Sequence, residues 1–137
     1  MYKSYEEMPV WKKAMDLAVA VHGLTASLPR SEDYGLASQL RCAALSVSAN
    51  LAEGFGRKRN RDKANFYIMA RGSLLETKSH ITYGQKVGYF LEEQVVSLGS
   101  QVDEIWKEIN SLLAFLENSL KPALSTPQPR PKTSARS

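Results

Sequence analysis

Residues 91–120 read LEEQVVSLGSQVDEIWKEINSLLAFLENSL, and this stretch decides the fold. Its apolar residues recur at alternating intervals of four and three without a break: Leu91, Val95, Leu98, Val102, Ile105, Ile109, Leu112 and Leu116. That spacing places one apolar stripe along an α-helix. Glu92 and Glu93 lie in the first turn, where acidic side chains interact favourably with the helix dipole. The sequence therefore predicts a long amphipathic helix over residues 92–120.

Three further segments of helical length precede this one, separated by turn residues. Residues 9–27 repeat the spacing of four and three, and residues 60–87 place apolar or small residues seven apart, with Asn60 as the predicted N-cap. No stretch alternates polar and apolar residues between hairpin turns. Because long helices joined by short connections lie antiparallel, we predict an all-α protein, an antiparallel up-down-up-down four-helix bundle.

The second segment, residues 34–55, differs from the others in its lack of charge. Between Leu36 and Gly56 only Arg41 and Glu53 carry charge, so this helix has no charged face for water. In a single bundle each helix exposes part of its circumference, so another surface must cover this helix. We therefore predict a cyclic homo-oligomer with the second helix at the subunit interface. Cys42, the single cysteine, lies in this segment and is expected to be a buried, inert thiol.

Charge and proline content divide the 137 residues into a folded part and a tail. Residues 1–120 carry 14 basic and 14 acidic side chains, whereas residues 121–137 carry four basic side chains, no acid and four prolines. We predict a bundle over residues 1–120 and a disordered, Pro-rich basic tail over residues 121–137. The sequence lacks both an apolar run long enough to span a bilayer and a secretory signal, so we expect a cytoplasmic protein.

Several motifs, in order and at consistent spacing, resemble a known family. They are VWKKA at 10–14, EDYGL at 32–36, QLRCA at 39–43, SVSANLAEG at 46–54 and ARGSLLE at 70–76. The sequence resembles the small four-helix bundle proteins encoded within intervening sequences of bacterial 23S ribosomal RNA genes. That resemblance implies a ring-shaped homopentamer of unestablished function without a known enzyme activity. More distantly, the sequence is similar to the accessory variability proteins of diversity-generating retroelements, which are basic pentamers that bind a reverse transcriptase and nucleic acid.

The turn between the second and third helices is strongly basic. The sequence GFGRKRN at residues 54–60 is followed closely by further cations, and five positive side chains fall within seven residues: Arg57, Lys58, Arg59, Arg61 and Lys63. Cations near a helix C-terminus are ordinary, and a solvated loop is one interpretation. The other is phosphate binding, because a cyclic oligomer repeats the cluster around a ring and the dipole of the third helix begins here. The sequence predicts contact with RNA or DNA phosphates at this turn.

Polar residues follow one side of the second helix and continue on the third. We call this set the polar stripe, and it comprises Gln39, Ser46, Asn50 and Glu53 with Arg41 nearby, and Ser73 and Glu76 on the third helix. One interpretation is that these groups satisfy one another or a neighbouring subunit and fix the register of packing. The other is a polar pocket or central channel, in which Arg41 compensates the charge of Glu53.

We expect no metal, cofactor or enzyme activity. Glu76 and His80 are four residues apart, whereas di-iron bundles use Glu-x-x-His on two helices. Nothing in the sequence places Cys42 beside His22 or His80, and no convergent acid, base and nucleophile are present. The alternative to nucleic-acid binding is a protein-interaction module that binds a partner protein through the acidic fourth helix or the Pro-rich tail.

Overall fold

The computed structural model describes the backbone of residues 2–125 and the side chains of residues 2–119. Four helices account for most of this chain: α1 (Pro9–Thr25), α2 (Leu36–Phe55), α3 (Asn60–Lys86) and α4 (Glu92–Ser125). Two short 3-10 helices precede α1 and α2, at Tyr5–Glu7 and Arg30–Glu32. Residues 2–125 contain no strand. The prediction of an all-α protein with four helices in these positions is confirmed.

The start of α3 differs from the prediction by one residue. Asn60 was expected to cap the helix, but Arg59 holds the cap position and Asn60 is the first helical residue. The physical reason lies in the backbone: Arg59 is extended, and its carbonyl accepts the first helical hydrogen bond from the Lys63 N–H at 3.0 Å. No side chain caps this end of α3.

The end of α3 is a turn that requires glycine. Gly88 has a φ of +89°, a conformation that side chains other than glycine disfavour. The chain then folds back so that the N–H groups of Tyr89 and Phe90 donate to the carbonyl of Gly84 at 2.8 and 3.3 Å. Phe90 becomes buried against Gly84. Any larger residue at position 84 would collide with this ring, so Gly84 allows the fourth helix to begin beside the third.

The helix α4 continues through Ser125, five residues past the predicted end of the bundle at residue 120. Extension of a helix that is already about eight turns long needs no new nucleation. Each added residue except Pro122, which has no backbone N–H, can donate one further helical hydrogen bond. Residues 126–137, which make up the rest of the predicted tail, lie outside the described residues.

The four helices share one hydrophobic core. The apolar stripes predicted for the helices point into it, and its largest fully buried apolar side chains are Leu17, Val21, Leu40, Val47, Leu51, Leu74, Val102, Ile105 and Ile109. Leu91 is the exception in the α4 stripe: it precedes the helix and is exposed. Within residues 2–125, no helix contains an apolar segment of membrane-spanning length.

Helices that are consecutive in sequence contact one another, and α1 also contacts α4. The contact between α2 and α3 is the most extensive. Gly54 explains part of it, because a Cβ at this position would stand 2.6 Å from the Tyr67 ring. The absence of a side chain at Gly54 therefore lets α2 and α3 approach closely near the basic turn.

Candidate nucleic-acid and subunit interfaces

The five cations predicted to bind phosphate do not share one role. Lys63 turns back toward the end of α2: its ammonium donates hydrogen bonds to the carbonyls of Phe55 at 2.7 Å and Gly54 at 3.4 Å. The same ammonium lies 5.4 Å from the centre of the Phe55 ring. Burial lowers the pKa of Lys63. Lys63 therefore satisfies carbonyl groups at the C-terminus of α2 and is occupied within its own chain.

Arg57 is also engaged within the chain. Its Nη2 lies 3.2 Å from Oε2 of Glu53, one turn earlier. Its guanidinium also lies 4.6 Å from the centre of the Phe66 ring, which places a cation over an aromatic face. These contacts hold Arg57 against the surface at the junction of α2 and α3.

The other three cations, Lys58, Arg59 and Arg61, are exposed. Within the described residues their side chains form no hydrogen bond or ion pair. They flank the first turn of α3, whose N-terminus carries positive partial charge and has no side-chain cap. Three accessible cations beside an uncapped helix N-terminus form the part of the basic turn that is open to an external anion. We call this set the basic rim.

The middle of the polar stripe is a hydrogen-bonded group between α2 and α3. The Ser73 hydroxyl donates to the Ser46 hydroxyl at 2.9 Å. The Asn50 amide donates to the same Ser46 hydroxyl at 3.0 Å and to the Ser46 carbonyl at 2.8 Å. All three side chains are half-buried. Here the polar groups satisfy one another across the contact between helices.

The structure separates Arg41 from the polar stripe. Its Nε donates to the Thr25 hydroxyl at 2.7 Å, at the end of α1. Glu53 instead pairs with Arg57, so the expectation that Arg41 compensates Glu53 is wrong. The reason is helical geometry: at 3.6 residues per turn, the separation along α2 places Arg41 and Glu53 about 120° apart around the helix axis.

The ends of the polar stripe are open to solvent in the single chain. Gln39, Glu53 and Glu76 are exposed, and Glu76 lies 3.3 Å from His80 on the same helix. Only the central group between α2 and α3 is shielded. Within one chain the polar groups therefore satisfy one another only at the centre of the stripe, and contact of its ends with a neighbouring subunit stays a prediction.

The outward side of α2 is exposed and uncharged over about three turns. We call it the α2 outer stripe; its members are Ser38, Cys42, Leu45 and Ala49. Leu45 is 55% exposed. Cys42 is exposed as well, so the expected burial of its thiol is wrong for the single chain. The buried residues of α2 occupy the opposite side of the helix, which points Cys42 outward.

The outward side of α3 is also apolar in part. Ile68 and Leu75, which are 47% and 48% exposed, alternate with the small residues Gly72 and Ser79. These four residues, the α3 outer stripe, follow the same spacing of four and three that the core uses on its inner side. Sequence inspection missed this stripe, although its spacing was available as a signal. Among the described residues, no group of three His, Cys, Asp or Glu is placed to hold a metal ion.

One family of known proteins matches most of this chain. Residues 6–111 match the family described as 23S rRNA-intervening sequence protein, a span that includes all of α1 to α3 and most of α4. The chain belongs to this family. The resemblance drawn from its motifs is thereby confirmed at the level of the family. The more distant likeness to retroelement accessory proteins stays a prediction.

A solved structure has the same fold as this intervening-sequence protein. It is a crystal structure of a protein of unknown function from the S23 ribosomal protein family of Bacteroides thetaiotaomicron, with a TM-score of 0.69 and 20% sequence identity. The match covers 76% of this chain and 97% of the Bacteroides chain. At this identity the likeness establishes the fold alone. Comparison with curated proteins gave no match.

Proposed function

We propose that this intervening-sequence protein is a non-enzymatic, oligomeric helical bundle that binds RNA or DNA phosphates through its basic rim. The observation that carries the proposal is the division of the basic turn: Arg57 and Lys63 are used internally, whereas Lys58, Arg59 and Arg61 are exposed beside the N-terminus of α3. Phosphate oxygens suit such a site, because they accept from Lys and Arg side chains and from the free N–H groups of a helix N-terminus.

Contacts between helix ends support an antiparallel, up-down-up-down arrangement. The C-terminal residue of α1, Thr25, meets Arg41 in the second turn of α2. Gly54 at the end of α2 packs on Tyr67 early in α3. Arg71 in the middle of α3 hydrogen-bonds Asn110 in the middle of α4 at 2.9 Å, and only residues 87–91 connect these two helices. Consecutive helices that meet where one ends and the next begins run in opposite directions.

The two outer stripes support assembly into a ring. Small residues on the α2 outer stripe offer shallow positions, whereas Ile68 and Leu75 on the α3 outer stripe offer larger side chains with the same spacing. Pairing the α2 outer stripe of one copy with the α3 outer stripe of the next is a head-to-tail contact, which generates a closed ring when the rotation permits. The family resemblance sets the expected number of copies at five. A pentamer would carry about 15 basic-rim cations on one face.

Fluorescence anisotropy with labelled RNA, measured across a salt series, tests the binding proposal. The variant K58A/R59A/R61A removes the basic rim, and K12A/K78A/K107A removes the same charge from exposed positions elsewhere. We expect the first variant to raise Kd at least tenfold and to flatten the dependence of log Kd on log salt, because fewer counterions are released. The second variant should bind nearly as the parent does. Equal losses in both variants, or no binding by the parent at low salt, would contradict the proposal.

A second candidate function is binding of a basic partner protein by α4. The observation in its favour is that this helix presents five exposed acids, Glu92, Glu93, Asp103, Glu104 and Glu117. Replacing these acids with neutral residues should abolish binding of such a partner, whereas K58A/R59A/R61A should still bind it. The opposite pattern is expected for the nucleic-acid interface, so the same variants separate the two functions.

A further inference from the structure

An apolar groove lies where the start of α1 meets residues 108–115 of α4. Tyr2, Met8 and Val10 form one wall, and Glu108, Leu112 and Phe115 form the other, around a volume of about 230 Å³. Phe115 is 68% exposed and Tyr2 is 47% exposed. Two aromatic side chains therefore stand in solvent on either side of an apolar floor. We call this feature the α1–α4 groove.

We propose that residues 126–137 of the same chain bind in the α1–α4 groove. This segment reads TPQPRPKTSARS, with prolines at positions 127, 129 and 131. Alternating prolines favour the polyproline II conformation, and grooves lined by aromatic side chains bind that conformation because little conformational entropy is lost. The exposed rings of Tyr2 and Phe115 supply such a lining.

The segment is long enough to reach the groove. The described helix ends at Ser125, ten residues beyond Phe115, which corresponds to about 15 Å along the axis. A polyproline segment that returns beside α4 advances about 3.1 Å per residue, so it reaches the level of Phe115 after about five residues. In the proposed bound state Pro131 would lie near Phe115, and Ser134 would lie near Ser111. Because the segment is tethered, its effective concentration at the groove is of millimolar order.

Charge favours the same direction of binding. Beyond Glu108 the seam between α1 and α4 continues as a polar cleft lined by Lys13, Asp16, Gln101 and Glu104. Lys13 pairs with Glu108 at 2.9 Å, which leaves two acids in excess along the seam. The tail segment carries Arg130, Lys132 and Arg136 and no acid. A basic segment that runs from Phe115 toward Glu104 is therefore electrostatically complementary to its path.

Disulfide capture in the full-length chain tests this proposal. In a C42S background, S111C places a thiol in the groove and S134C places one on the segment. The matched control pairs S134C with M69C, because Met69 is exposed on α3 and belongs to neither outer stripe. Under mild oxidation we expect the S111C/S134C pair to form an intrachain disulfide at least ten times faster than the control pair. Non-reducing electrophoresis and mass spectrometry measure both products.

A further variant links capture to the aromatic lining. F115A, added to the S111C/S134C chain, should reduce the rate of disulfide formation to that of the control pair. Because Phe115 is largely exposed, circular dichroism should show an unchanged helical fold. Equal rates in the two pairs, or an unchanged rate in F115A, would overturn the proposal. Mixing S111C and S134C single-cysteine chains detects binding in a second copy: a fast interchain disulfide would show that the groove holds a neighbour's segment instead.

Discussion

The ammonium of Lys63 donates a 2.7 Å hydrogen bond to the carbonyl oxygen of Phe55, and this contact ties the start of α3 to the end of α2. Helix C-termini leave carbonyl groups without partners inside the helix, and a cation is their favourable partner. Lys63 fills this role from the next helix rather than from the end of α2 itself. The basic turn thus contains two cations engaged within the chain, Arg57 and Lys63, and three that face solvent.

The first prediction separates these two kinds of cation by stability. Lys63→Met keeps most of the aliphatic stem but loses both hydrogen bonds, and we expect it to lower the free energy of unfolding by about 1 kcal/mol. Lys58→Met, on the exposed side of the turn, should change it by less than about 0.5 kcal/mol. Urea denaturation followed by circular dichroism measures both. Equal stability of the two variants would show that the Lys63 contact contributes nothing.

The second prediction concerns alkaline pH. The Tyr89 hydroxyl donates to Oε2 of Glu32 at 3.0 Å, while Oε1 of Glu32 accepts from the Leu36 N–H at the start of α2. The hydrogen bond to Glu32 raises the pKa of Tyr89 above its ordinary value of 10.0. Because the pKa of Tyr89 is higher in the folded chain than in the unfolded chain, the protonated hydroxyl stabilises the folded state. The contribution is therefore complete below pH 10.0 and is lost as the pH rises through the folded-state pKa.

Tyr89→Phe isolates this contribution. Burial also raises the pKa of Tyr67, so the parent loses stability at high pH for two reasons. Thermal unfolding between pH 8 and pH 11 should show a smaller alkaline decrease in Tm for Y89F than for the parent. Glu32→Gln removes the charge that holds the proton and should also weaken the dependence. If the Tm values of the parent and Y89F fall in parallel, Tyr89 does not contribute.

The third prediction uses two glycines of different surroundings. A Cβ at Gly54 would stand 2.6 Å from the Tyr67 ring and 3.0 Å from Cβ of Phe66, so Gly54→Ala forces α2 and α3 apart. We expect a loss of about 1–3 kcal/mol in unfolding free energy. Gly99→Ala is the control, because a Cβ there meets nothing within 4 Å and alanine favours the helix by about 1 kcal/mol. Destabilisation by both substitutions would point to a general helix effect.

The helices and their inner faces were predictable because the core uses a repeated spacing. Val102, Ile105 and Ile109 keep that spacing along α4, and all three are buried. The roles of the cations were not predictable in the same way. Lys58 and Lys63 lie five residues apart in one basic run, yet only Lys63 reaches the carbonyls of α2, because its helix folds back against that end. Spacing along the sequence does not contain this three-dimensional relationship.

The orientation of α2 was the other feature that sequence left open. Charged residues on one side of a helix indicate which side faces solvent, but α2 has uncharged residues on nearly every side. Charge patterning therefore does not distinguish Cys42 and Leu45 from Leu40 and Val47 as core residues. The structure resolves this by packing Leu40 and Val47 inward and exposing the other two. Contacts with α1 and α3, which involve residues far away in sequence, make the choice.

The last prediction tests whether a second copy covers this exposed side. Leu45→Glu places a charge in the middle of the α2 outer stripe, and burial of that charge in a subunit interface without a partner is costly. Multi-angle light scattering of the parent should give a multiple of 15.3 kDa, and L45E should give 15.3 kDa. Val96→Glu is the matched control, because Val96 is 65% exposed on α4, away from both outer stripes.

The reactivity of the Cys42 thiol tests the same interface independently. Cys42 is exposed in one chain, so assembly through the α2 outer stripe should protect its thiol from a bulky thiol reagent, and L45E should restore the reaction. V96E should keep both the parent mass and the parent reaction rate. If the parent already has the mass of one chain, or if L45E and V96E have the same mass, the α2 outer stripe is not a subunit interface. If L45E is monomeric and still binds RNA, the ratio of its Kd to that of the parent measures how much affinity comes from a ring of basic rims rather than from one.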